Sequence, residues 1–141
     1  MGIVLRIGEQ AAITSDDELV ANFSRPDART FGDDDTLIDW QKNTLWMDYG
    51  TWGRFCRRTG LRSLFHDEEV GLLRNDPGYV VLEQGHYDIL AAALARWQKA
   101  HPNATPGLNS GQDRILAYLL WFESWMAWAL EGCAQGAIAL E

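Results

Sequence analysis

Residues 113–130, DRILAYLLWFESWMAWAL, carry apolar side chains at helical spacing around nearly the whole circumference. Ile115, Leu116, Leu119, Phe122, Met126 and Leu130 fall on one broad face. Trp121, Trp125 and Trp128 form a second apolar stripe beside it, and Asp113, Ser124 and Glu131 line up as a polar seam. A helix this apolar must be covered on several sides, so the pattern predicts the central post of the fold. Ser110 or Gln112 lies in its expected cap region, and Gly132 and Gly136 mark its end.

Alternation and punctuation predict what surrounds that post. Ile3-Val4-Leu5-Arg6-Ile7 is apolar, β-branched and bounded by glycines, which reads as a strand. Residues 137–140 are expected as a last strand paired with it. Ser15, followed by Asp16, Asp17 and Glu18, resembles a helix start that Pro26 and Gly32-Asp33-Asp34-Asp35 cut short. Residues 36–40 read as a second strand or a run-in to the next helix. Residues 43–59 are expected as an amphipathic helix, with Leu45, Tyr49, Trp52 and Cys56 on one face and Arg54, Arg57 and Arg58 opposite. Gly60 stands where a left-handed cap belongs, and residues 61–65 add one turn. Asn75-Asp76-Pro77-Gly78 is a turn signal, followed by a weak strand at 79–82. Residues 87–100 form the next helix, with Ile89, Leu90, Ala93, Leu94 and Trp97 inward. His101-Pro102 ends it, since proline disfavours helix in the residue before it. The expectation is a mainly α (α+β) chain with a single domain over residues 1–141. It would be a bundle of about three main helices, with a small sheet joining the N- and C-terminal strands.

Composition narrows the partners. A chain of 141 residues can bury a core without disulfides or metal. Twenty acids against twelve Lys and Arg give a net charge of −8. That balance argues against duplex nucleic acid or anionic lipid, since phosphate binding relies on cations. It leaves a cationic protein partner open. Glu123 and Glu131 interrupt the apolar helix, and Asp113 and Arg114 bound it, so no membrane span is expected. Cys56 and Cys133 are far apart and lie in no zinc-type spacing, so they read as small buried hydrophobes. The first ten residues lack a basic stretch followed by an apolar core, so no secretory leader is expected and the location is taken as cytoplasmic. Leu140-Glu141 has the pattern of a cloning scar ahead of an affinity tag and is assigned no function.

Charge is unevenly spread. Arg54, Arg57, Arg58 and Arg62 form a cationic island with no acid between residues 49 and 66. Guanidinium forks suit planar anions, so the island is a candidate phosphate or carboxylate grip. The plainer alternative is a complement to a helix end and to the protein's own acids. His66 and Glu69 would share a helix face at i, i+3, half of a metal site, but no second unit completes it. Asp33, Asp34 and Asp35 fit neither a calcium loop nor the Asp-rich motif of isoprenoid synthases, and read as a solvated or docking surface. Nucleophile-elbow, P-loop and dinucleotide fingerprints are absent from the sequence. Glu123 stands out because it projects from the apolar side of its helix. An acid there is paired, protonated or at a pocket rim.

Two function classes follow. One is an acidic, non-enzymatic binding protein docking on a cationic partner through Asp33, Asp34 and Asp35, as immunity-type or phage-encoded inhibitors do. The other is a small ligand-binding protein or enzyme, with Glu123 and the Arg54/Arg57/Arg58/Arg62 cluster lining a pocket between helices. Neither calls for a cofactor or metal. A homo-oligomer stays open, because an exposed tryptophan stripe on the central helix would make an association surface.

Overall fold

The computed structural model describes residues 2–9, 42–75 and 78–140. Strand β1 (Gly2–Glu9) alternates buried Ile3, Leu5 and Ile7 with half-buried Val4 and Arg6, as a strand with one face on a core must. Strand β2 (Thr44–Asp48) turns Leu45 and Met47 inward and Trp46 and Asp48 outward. Asp48 then starts helix α1 (Tyr49–Thr59). Its backbone is extended and its carboxylate accepts the Thr51 amide at 2.8 Å, an N-cap. Gly60 ends the helix at φ 73°, donating its N–H to the Cys56 carbonyl in a left-handed cap that a Cβ would strain. The short helix α2 (Arg62–His66), strand β3 (Tyr79–Val81), helix α3 (Gln84–Ala100), helix α4 (Arg114–Gly132) and strand β4 (Gly136–Leu140) follow.

The strands form one antiparallel sheet in the order β2-β1-β4-β3. Its register places Leu5 between Leu45 and Leu140, and Ile138 between Ile7 and Val80, so the inward side chains run in apolar rows across the strands. Helix α4 packs against β1 and β4, with α3 along its side. Gly136 lets helix and sheet meet closely: a Cβ there would lie 2.6 Å from the Ala129 carbonyl oxygen. Ten side chains of α4 are buried, among them Trp121, Phe122, Trp125 and Met126. Phe122 is the hub of an aromatic cluster, with ring centroids 6.3 Å from Trp52, 5.7 Å from Phe55 and 5.1 Å from Phe65. Burying each such ring contributes about 1.5–3 kcal/mol, so α1 and α2 are fastened to α4 chiefly through this cluster.

This architecture corrects the expected mainly α bundle of three main helices. The fold is α+β; among the described residues there are four helices and a four-stranded antiparallel sheet in which β1 and β4 pair as expected. The correction begins at residues 44–48, expected as the start of a helix and found as a strand. Leu45 therefore belongs to the sheet, and Tyr49 is 59% exposed, so the inner face of α1 is Trp52, Phe55, Cys56 and Thr59. Ile89, expected inward, is 51% exposed. Helix α3 begins at Gln84 rather than Tyr87, because Glu83 and His86 close a reciprocal cap ahead of it. The cap of α4 is Asp113, not Ser110 or Gln112. His66 closes α2 and Glu69 lies in the turn beyond it, so the two do not share a helix face. Trp121 and Trp125 are buried and Trp128 is half-buried, so the tryptophan stripe lies inside and offers no broad exposed face. The expected helix at Ser15, the segment at 36–40, Asp33, Asp34 and Asp35, and the Asp76-Pro77 half of the turn lie outside the described residues. Among the described residues no helix is long and apolar enough to cross a membrane.

Candidate functional site

Thr51, Arg54, Phe55 and Arg58 recur at i, i+3, i+4 and i+7 on α1, so one face of that helix carries all four. That face forms one wall of a cavity of about 430 Å3. Trp97 from the last turn of α3, His101 just beyond it, and Arg114, Ile115 and Tyr118 from the start of α4 form the others. The loop of residues 101–113 closes the end.

Asp113 holds this corner together. Its Oδ2 accepts the Trp97 indole N–H at 2.8 Å, and its Oδ1 accepts the Leu116 amide at 3.0 Å as the N-cap of α4. Its backbone N–H donates to the Thr105 carbonyl at 2.7 Å, and its carbonyl accepts the Gly107 N–H at 3.2 Å. One residue thus ties α3, α4 and the loop to each other. His101 stacks on Trp97 with ring centroids 4.3 Å apart, and its Nδ1 lies 3.1 Å from the Trp97 carbonyl. A carbonyl only accepts, so that contact requires a proton on Nδ1.

Three guanidiniums face one carboxylate in this lining. Among the described residues no carboxylate forms an ion pair with Arg54, Arg58 or Arg114. The Arg58 guanidinium instead sits 5.1 Å from the Trp97 ring centroid, a cation–π contact. Arg114 reaches the Leu108 carbonyl at 3.4 Å. Arg54 is felt at Asp48, whose carboxyl is held below its ordinary value chiefly by hydrogen bonds from Thr51, with Arg54 adding a smaller pull. The three arginines are exposed at the rim, whereas Phe55, Trp97, Ile115 and Tyr118 are buried beneath them. The result is a cationic rim over an apolar, largely aromatic floor. Such a rim can offer charge-assisted hydrogen bonds to an anion.

A second cavity, of about 370 Å3, lies between β3 and the start of α3. Its polar groups are spent on the protein itself. Arg74 donates to the Gly71 carbonyl, Asn75 to the Tyr79 carbonyl, and His86 accepts the Glu83 amide. It offers an incoming ligand less than the first.

The sequence-predicted residues divide. Arg54 and Arg58 line the first cavity, joined by Arg114, which the cationic island did not include. Arg57 and Arg62 are exposed and are not part of its wall. Glu123 is half-buried on α4 and accepts the Tyr87 hydroxyl at 2.8 Å, linking α4 to α3 away from the cavity. That hydrogen bond is the main reason the Tyr87 phenol is pushed above its ordinary value. His66 accepts the Trp52 indole N–H at 2.7 Å, and among the described residues no three His, Cys, Asp or Glu side chains cluster as a metal site. Trp97, His101, Asp113 and Tyr118 reach the cavity wall only through tertiary packing. The signal for the α1 wall was present in the i, i+4 spacing of Arg54 and Arg58. Comparison with protein-family models, with curated proteins and with solved structures finds no match to this chain.

Proposed function

We propose that the chain is a small non-enzymatic binding protein that takes an organic anion into the cavity between α1, α3 and α4. The observation that carries this reading is the convergence of Arg54, Arg58 and Arg114 on one cavity, without an ion-pair partner among the described residues. The chain has twenty acids for twelve bases, and among the described residues none of those acids forms an ion pair with these three cations. A guanidinium in that position is open to an incoming carboxylate or phosphate. The cavity's volume of about 430 Å3 falls within the range of small-molecule sites.

Thermal unfolding in a panel of organic anions at constant ionic strength tests it. A ligand at about 100 times its Kd adds about 2.7 kcal/mol to stability, a rise of roughly 10 °C in Tm at this chain length. The rise should vanish in the Arg54→Gln, Arg58→Gln double variant. If no anion outperforms chloride at the same ionic strength, the reading fails.

The net charge of −8 supports a second reading, the docking of a cationic protein as immunity-type or phage-encoded inhibitors do. Asp33, Asp34 and Asp35 would steer the encounter, which chiefly raises the association rate and weakens with salt. Their replacement by Asn should slow association and blunt its salt dependence, and a partner binding with salt-independent kinetics would rule this reading out. Both readings fit a cytoplasmic setting, where the free thiols of Cys56 and Cys133 stay reduced.

A further inference from the structure

The closed floor of the cavity decides what kind of anion its rim can hold, on the premise of the binding role proposed above. Phe55, Trp97 and Tyr118 are 1%, 8% and 4% exposed, so the rings beneath the rim are already covered and give a ligand no apolar face to lie on. Affinity must then come from the rim itself, where Arg54, Arg58 and Arg114 are exposed. One exposed ion pair contributes a factor of about five at most. A ligand with a single charge is therefore held weakly, and several charges joined in one chain are needed for the contributions to combine.

The arginines are also anchored to different groups. Arg58 lies over Trp97 at 5.1 Å from the ring centroid, and Arg114, on another helix, reaches the Leu108 carbonyl at 3.4 Å. Such an arrangement suits separate carboxylates rather than one multiply charged centre. Arg54 and Arg58, four residues apart on α1, leave the helix about 6 Å apart along its axis. Side chains two residues apart on an extended peptide share a side at about 6.6 Å. We propose that the rim docks an extended acidic segment of a partner protein, with carboxylates at alternate positions facing Arg54 and Arg58 and a further one facing Arg114. A nucleic-acid strand fits less well. Single strands bind by stacking bases on aromatic rings, and here the rings are buried. Its phosphates would also continue past the patch onto a chain of net charge −8.

Fluorescence anisotropy of the full chain with labelled probes tests this. The probes are a peptide with three aspartates alternating with glycine, the same peptide with one aspartate, the same peptide with asparagine at all three positions, and an oligothymidylate of equal charge. The three-aspartate peptide should bind at least about tenfold more tightly than the one-aspartate peptide, and should weaken as salt is raised from about 50 to 200 mM. Arg54→Gln, Arg58→Gln and Arg114→Gln should each weaken it about two- to fivefold. Arg74→Gln, beside the opposite end of α3, should leave it unchanged. Equal affinity for the one-aspartate peptide overturns the alternating grip, and tighter binding of the oligothymidylate overturns the peptide class. Peptide binding that all three rim variants leave unchanged overturns the site. If the aspartate peptide binds no better than its asparagine counterpart, the docking of an acidic segment falls. The thermal panel of small anions then judges the anion-binding role separately: it stands if one of them gives a rise that depends on Arg54 and Arg58, and falls too if none does.

Discussion

Asp113 is where folding and the cavity meet, and its removal makes a quantitative test of the structure. Alanine at this position deletes two acceptors at once. Loss of an N-cap costs about 1 kcal/mol. The Trp97 indole N–H, on a residue 8% exposed, also loses its partner at 2.8 Å. An orphaned buried donor costs about 1–3 kcal/mol. The expected total for Asp113→Ala is about 3 kcal/mol, or a fall in Tm of roughly 12 °C at this size. Asp113→Asn separates the two parts. Asparagine caps a helix as well as aspartate does, so its oxygen can keep the Leu116 amide. Its NH2 group then faces the Trp97 N–H donor to donor, and that part of the loss remains. Urea unfolding followed by tryptophan fluorescence measures both variants, with the midpoint moving and the slope unchanged. The order should be wild type, Asn, Ala. An alanine variant within about 0.5 kcal/mol of wild type would show that Asp113 does not hold this corner.

Acid should loosen the fold through two histidines. His66 Nε2 accepts the Trp52 indole N–H and His86 Nδ1 accepts the Glu83 amide, roles that a protonated ring gives up. Burial, the leading cause, holds both rings below the ordinary 6.5, with Arg62 adding to it at His66 and Arg74 at His86 against an opposing pull from Glu83. The folded state therefore binds fewer protons than the unfolded chain. Their contribution is complete above pH 6.5 and is lost as pH falls from there through the lower folded values. Unfolding midpoints measured between about pH 7.5 and pH 5 should fall in that window, and the slope should flatten in the His66→Gln, His86→Gln double variant; an unchanged slope counts against the role. The thiols should be sluggish in the native protein. Burial pushes Cys56 up to about 12, and burial together with the Glu9 carboxylate pushes Cys133 up to about 11. A disulfide reagent should label half-buried Cys133 first and Cys56 only on unfolding; equal native rates would contradict the buried placement of Cys56.

What the sequence made legible was decided by how local the cause is. Helix α4 could be read because its apolar pattern runs for nearly five turns, and the end of α3 because Pro102 acts on its immediate neighbour. Gly60 was readable as a cap for the same reason. Strand β2 was not. Thr44–Asp48 gives just two inward residues, Leu45 and Met47, too few for alternation to compete with the helical spacing that runs into Trp52 and Cys56. The sheet pairing of β1 with β2 decides that segment, and such pairing has no local signature. The cavity was half legible. Adjacency in the chain grouped Arg57 and Arg62 with Arg54 and Arg58, whereas on a helix it is the i, i+4 pair that shares a face. Arg114 and Trp97 could not be joined to them without knowing that α3 and α4 run side by side. Glu123, read as paired, protonated or at a pocket rim, accepts the Tyr87 hydroxyl, a partner that only the packing of α3 on α4 brings to it.

The pairing of β1 with β4 also governs when the molecule can fold. Leu5 and Leu140 are register partners 135 residues apart. At synthesis rates of about 5–20 residues per second, β4 emerges roughly 7–27 s after β1. During that interval the edge of β1 that will receive β4 exposes bare N–H and C=O groups, the kind of edge that recruits foreign strands. Helix α4 is complete before β4 but lacks the strand that passes under Ala129 at Gly136. The side of α4 that faces the sheet therefore waits on that strand, while its other side can already pack against α3. Closure of so long a loop makes the central strand pair a late and slow event. The nascent chain consequently passes through a stage in which the sheet-facing side of its most apolar helix and its most open strand edge are unprotected together, the stage at which a chaperone has most to hold.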